Sequence, residues 1–213
     1  HTDCKYKKQN IQAAGMQEKN PSRTNKSRTE ATRLALLTAA RQLFADNGYA
    51  ETSTPEIVKA AGVTRGALYH HFADKVALFR AVIAEEYKAV AHEIAASAEA
   101  TPGSALDALR QGSRGYMNAM QDKGRVRLML LDGPAVLGQF ELNRLDRETS
   151  ADTLRAGLLE AMRTNQIKAL PIGALTTQLA ALFDRAALAV SEGDDAADHL
   201  AVIDALITTL AEN

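Results

Sequence analysis

The chain has no tryptophan, a single cysteine (Cys4), 5 prolines and 13 glycines among 213 residues. One cysteine forms no internal disulfide and builds no cysteine-based metal site, which fits a reduced, cytoplasmic setting. So few prolines and glycines do not supply the regular turns of an all-β protein. No apolar run approaches the roughly 18 residues that a membrane span needs, and the start does not read as a secretory signal. No nucleophile–base–orienter set and no phosphate-cradling glycine loop appears, so the sequence does not read as an enzyme and calls for no cofactor. What is plentiful is alanine and leucine, within a hydrophobic content of 46%. That balance favours an all-α fold.

A net charge of −1 hides a division. Residues 1–88 carry 14 basic against 9 acidic side chains, whereas residues 89–213 carry 11 against 17. A basic first part beside an acidic second part points to a polyanion as the partner of the first. Residues 1–27 hold 6 basic and 2 acidic residues without an apolar period, and read as a disordered basic arm drawn to phosphate.

From Thr29 a helical stripe begins, with Leu34, Leu37, Ala40, Leu43 and Phe44 on one face and Ser27 or Thr29 as its cap. Asn47-Gly48 ends it. A short second helix runs from about Pro55 to Ala61, capped by Ser53 or Thr54, with Glu56 three residues after Ser53 as in a capping box. Thr64 caps a third that reaches Phe72. Asp74 caps a long fourth, to about Ala98, whose buried side is read as Val76, Leu78, Phe79, Val82, Ile83 and Tyr87. Further helices are expected at roughly 104–121, 124–137, 140–166, 172–192 and 195–212, with Asp132-Gly133-Pro134 ending or kinking the second of these.

The second and third helices, joined through Ala60-Ala61-Gly62-Val63, have the dimensions of a helix-turn-helix. Gly62 supplies the positive φ of the turn, and the alanines allow close crossing. Leu68 and Phe72 face inward on the third helix. Gly66, Ala67, Tyr69 and His70 face outward, with Arg65 in the first turn. Small residues, a phenol, an imidazole and a guanidinium suit close approach to base edges and phosphates.

Gly48-Tyr49, Thr52-Ser53, Ile57-Val58, Ala61-Gly62-Val63-Thr64, Gly66, Tyr69-His70-His71-Phe72 and Lys75-Val76-Ala77-Leu78 stand in an order that resembles the DNA-binding domain of the TetR family of transcriptional regulators. The likeness covers about residues 30–80, with Thr54 standing where the family usually places an apolar side chain. It implies a helix-turn-helix DNA-binding domain over residues 28–75 and a ligand-binding and dimerisation domain over 76–213. Ser53, Thr54 and Thr64 would then hold phosphates, Tyr69 and Lys75 would touch the DNA backbone, and Arg65 would read a guanine at two points. Gly66 and Ala67 would let the helix lie deep, while His70 would reach a base or a phosphate. His71 reads either as a packing histidine or as a DNA contact. Adjacent His70 and His71 do not make a metal site, because they point about 100° apart.

The helices at 172–192 and 195–212, with Leu179, Leu182, Leu188, Leu200, Ile203, Leu206, Ile207 and Leu210, need cover on more than one side, and burial within one chain explains one of them but not both. They point to a homodimeric four-helix interface. The resemblance implies a ligand cavity among the helices of 104–166. Its lining is read as Tyr116, Met117, Met120, Met129, Phe140 and Phe183, with Asn118, Gln121, Arg127 or Asp132 as polar contacts. An apolar pocket favours a lipophilic or aromatic effector. The expected function is a ligand-responsive homodimeric repressor on a pseudo-palindromic operator; an activator or a non-enzymatic interaction module of the same fold is the alternative.

Overall fold

Helix α1 (Pro21–Asn47) begins well before Thr29. A computed structural model describes residues 21–100, 103–149 and 151–211, so the expected arm lies mostly outside the described residues, and its last part, 21–27, is helix instead. Ser27 and Thr29 lie inside α1 rather than capping it, and the Thr29 hydroxyl donates to the Asn25 carbonyl at 2.9 Å. The inward face is Leu36, Leu37, Ala40 and Phe44; Leu34, expected on it, is 65% exposed. A 3.6-residue period accommodates either reading, and packing decides between them.

Helices α2 (Thr54–Ala60) and α3 (Arg65–His71) follow, each opened by the expected cap. Ser53 and Glu56 form a full capping box, and the Thr64 side chain accepts from the Ala67 N–H. Asp74 caps α4 (Lys75–Glu99) by accepting from the Ala77 N–H at 2.7 Å. Ile57, Leu68 and Phe72 close the three-helix unit onto Phe44 and Phe79, whose rings meet edge to face at 5.1 Å. Each such side chain, once buried, contributes about 1.5–3 kcal/mol. Val76 does not join them: it is 42% exposed.

Beyond α4 come α5 (Ala105–Ala119), α6 (Gly133–Leu137), α7 (Gln139–Thr149), α8 (Ala151–Arg163), α9 (Ile172–Glu192) and α10 (Ala196–Ala211). Among the described residues the chain is helical throughout, with ten α-helices and no strand. The helix expected over 124–137 is instead a π-helical stretch, Arg127–Asp132, running into α6. Pro134 has no N–H to donate, and the Gly133 N–H returns to the Leu128 carbonyl, five residues back. The helix expected over 140–166 is divided into α7 and α8 near Thr149, where weak helix formers meet.

Two apolar cores result. One joins Leu36, Phe44, Leu68 and Phe79 to Val126, Leu128, Met129, Leu142, Leu145 and Ala187, so α1–α4 share an interior with the base of the second half. The other gathers Leu109, Met117, Leu158, Phe183, Ile203 and Ile207 from α5 and α8–α10. No helix among the described residues is long and apolar enough to cross a membrane.

Candidate nucleic-acid interface

The outward side of α3 follows from its buried side. Leu68 is fully buried, and helical spacing then turns Arg65, Gly66, Tyr69 and His70 to solvent, with Ala67 half-buried at the margin. Arg65 and Tyr69 stand one turn apart, with the guanidinium 5.5 Å from the centre of the phenol ring. That guanidinium, and after it the Thr54 hydroxyl, holds the Tyr69 pKa below the usual phenol range. Arg65, Thr54 and Tyr69 therefore form one polar corner where α2 meets α3. The Thr64 oxygen accepts from its own helix, leaving its proton for an outside acceptor.

Two expected contacts are otherwise engaged. The Ser53 hydroxyl donates to the Glu56 carboxylate at 2.7 Å, and that carboxylate also accepts the Ser53 N–H at 2.8 Å. A cap oxygen beside a carboxylate is a poor partner for phosphate. Lys75 turns inward: its ammonium donates to the Tyr49 and Thr52 carbonyls at 2.8 and 2.9 Å and lies 4.1 Å from the centre of the Tyr49 ring. It ties the start of α4 to the loop before α2. His71 is half-buried, and burial, then the nearby His70 and Arg33 charges, lowers its pKa. The Arg33 guanidinium stands 5.5 Å from the centre of the Phe72 ring, bringing α1 beside the end of α3.

The expected ligand residues divide among three places. Met117 and Met120 line a cleft of about 280 Å³ together with Gln121, Val126, Ala187 and Val190. Tyr116 and Phe183 pack on each other, ring centres 5.6 Å apart, deeper in the bundle. Met129 is buried in the core shared with α1–α4 and does not line the cleft. Phe140 is 79% exposed at the start of α7 and lines nothing. Of the polar candidates, Gln121 lines the cleft and Asn118 is exposed. Arg127 and Asp132 instead grip the turn after α1, donating to the Asp46 carbonyl at 3.1 Å and accepting from the Tyr49 N–H at 2.9 Å.

The profile of bacterial regulatory proteins, tetR family, matches residues 36–82, and that of the tetracyclin repressor-like C-terminal domain matches residues 106–213. The chain belongs to the TetR family. It is a DNA-binding transcriptional regulator of that family. It is 28% identical to the transposon Tn10 TetC protein of Escherichia coli over 155 residues, 72% of this chain and 76% of that one. Over 58 residues, 27% of each chain, it is 50% identical to the HTH-type transcriptional regulator AcrR of Shigella flexneri. A TetR-family transcriptional regulator from Pectobacterium atrosepticum superposes with a TM-score of 0.69 at 27% identity, covering 88% of this chain and 97% of its own. The fatty acid degradation regulator FadR of Bacillus halodurans shares the fold, with a TM-score of 0.70 at 16% identity over 83% of this chain and 94% of its own.

One polar residue of this TetR-family chain lies outside the expected set, although the sequence marks it as one of two charges between residues 173 and 191 of an apolar helix. Asp184 accepts from the Tyr116 hydroxyl at 2.6 Å inside the bundle. Burial raises its pKa, opposed by that hydrogen bond and reinforced by Asp146. A raised carboxyl pKa favours the fold when protonated, an advantage lost as pH rises through the folded-state value. Asp184→Asn keeps an acceptor for Tyr116 without the charge. It is expected to raise the melting temperature near pH 8, the gain shrinking as pH falls toward the ordinary value of 3.8. A gain of equal size at both ends of that titration refutes the assignment.

Proposed function

We propose that the protein is a homodimeric repressor whose α3 enters the major groove of a pseudo-palindromic operator, and which a lipophilic or aromatic effector releases. One observation carries the DNA half. Gly66 lies within an exposed helix, and a Cβ placed on it meets only the Thr64 hydroxyl oxygen, at 3.9 Å. Glycine there costs about 1 kcal/mol relative to alanine, and nothing inside the chain requires it. A groove floor approaching from outside does require it. Arg65, Tyr69 and His70 surround the gap with groups that bond bases and phosphates.

The test uses a duplex that the wild-type protein selects from a random library. Gly66→Ala is expected to stabilise the chain by up to about 1 kcal/mol and to weaken binding of that duplex. Arg65→Ala should cost about 1–3 kcal/mol of binding and relax preference at one base pair. Full affinity in both variants would end the proposal. A reporter driven from the selected site separates repression from activation.

Residues 28–75 serve DNA binding, and residues 76–213 serve ligand binding and pairing. Pairing is supported by α10, where Ala201, Val202, Ala205 and Leu206 are exposed along one side, Val202 by 56% and Leu206 by 43%. Ala174 and Ala181 on α9 are exposed as well. Small residues beside larger apolar ones suit helices that approach closely across a two-fold axis. Such a dimer sets two copies of α3 about 34 Å apart, one duplex turn. Effector binding then favours a conformer of different half-site spacing, with α4 as the lever.

A further inference from the structure

The turn after α5 belongs to two places at once. Gln121, Asp122, Lys123 and Gly124 form one wall of the 280 Å³ cleft, opposite Ala187 and Val190 of α9. The other side of the same turn is fastened to α1. Asp122 pairs with Arg41, Lys123 reaches Asp46 at 2.6 Å, and Gly124 lies against Ala45. The next residues continue the grip, with Arg127 on the Asp46 carbonyl and Asp132 on the Tyr49 N–H. Between these holds, Arg125 is buried on Glu86 and Glu93 of α4 at 2.7 and 3.1 Å, and Glu86 also binds Arg41.

We propose that this cleft is a ligand site whose occupancy is passed straight to α1 by residues 121–132, a route separate from the α4 lever. The inference rests on the regulatory reading above and names the site and its coupling. Wall chemistry sets the ligand class. Met117, Met120, Val126, Ala187 and Val190 are apolar, and the charges of Asp122 and Lys123 are already paired with α1. Gln121 is left to bond a guest. The site takes a compact, uncharged, largely apolar molecule with one hydrogen-bonding group. Such a molecule, wedged between α9 and the turn, pushes the turn's charges off Arg41 and Asp46. The end of α1 then loses the hold that sets the angle of α2 and α3.

A built-in occupant tests this without the natural ligand. Val190→Phe fills the cleft from α9; Ser191→Trp, at its exposed rim, does so if the first variant fails to fold. Either is combined with Lys123→Ala/Arg127→Ala, which removes the solvent-exposed half of the grip. The probe is the duplex selected by the wild-type protein. In the intact background the filled cleft is expected to lower affinity about tenfold with melting temperature and oligomer mass unchanged. In the Lys123→Ala/Arg127→Ala background the same filling should cost clearly less affinity than in the intact background, because half of the grip is already released. Equal losses in both backgrounds, or no loss in either, overturn the proposed route while leaving DNA binding standing. A wild-type protein that selects no duplex overturns the regulatory reading and this inference with it.

Discussion

Glu86→Gln is expected to lose about 3–5 kcal/mol of stability. The carboxylate is 7% exposed and serves two guanidiniums, Arg41 at 3.0 Å and Arg125 at 2.7 Å. Arg125 is itself 6% exposed, so it cannot turn to water when its partner is neutralised. Glu93 at 3.1 Å, Asp122 at 3.9 Å and the Ala119 carbonyl at 2.5 Å remain, but each of these carboxylates is 44% exposed and weakens as a counterion accordingly. Glutamine keeps the shape and one acceptor, which isolates charge as the cause. Urea denaturation of the two proteins measures the difference; a midpoint within the equivalent of about 1 kcal/mol of wild type would show the network to be ornamental.

Gly124→Ala carries the second large effect. Gly124 has φ of +80°, a left-handed conformation that costs a residue with a Cβ about 1–2 kcal/mol. Space compounds the problem. A Cβ at 124 falls on the Ala45 side chain and lies 2.8 Å from the Ala45 Cα, which is helix backbone and cannot step aside. Overpacking of this kind costs about 1–3 kcal/mol. The sum is about 2–5 kcal/mol, or a comparable amount of strain released by moving the turn off α1. The double variant Gly124→Ala/Ala45→Gly discriminates, measured against Ala45→Gly alone: it should recover the part of the cost that the Ala45 methyl causes and retain both the contact with the Ala45 Cα and the conformational part. No recovery would place the whole cost in the two backbones.

The first half of this architecture was legible because its signals are local. Ser53 with Glu56, Thr64 and Asp74 each mark a helix start within three or four residues, and the structure uses all three as caps. Leu68 buried inside α3 fixes which side chains must face outward. The inward contacts of Lys75 were not legible, for the opposite reason. Its partners are the carbonyls of Tyr49 and Thr52, 26 and 23 residues away, and only the closed fold brings them under its ammonium. Leu34 and Val76 fit an apolar stripe by spacing, yet each lies just past the edge of what neighbouring helices cover.

In the second half, methionine and phenylalanine at helical spacing do not reveal which core they enter. Met117 and Met129 fall in different ones, and Phe140 in neither. The grip on α1 was invisible for a stronger reason. Arg41 and Asp122 are 81 residues apart, as are Asp46 and Arg127, and no period links such positions. Arg127 and Asp132, expected as ligand contacts, instead hold a junction with the end of α1.

Side chains from Leu36 to Phe79 melt into the same interior as Leu128, Leu142 and Ala187, so the reading head and the second half share one core. A joint made this way has no slack. Whatever tilts the base of the bundle must carry the reading head along as a rigid passenger, and a severed head would show an oily wound rather than a finished surface.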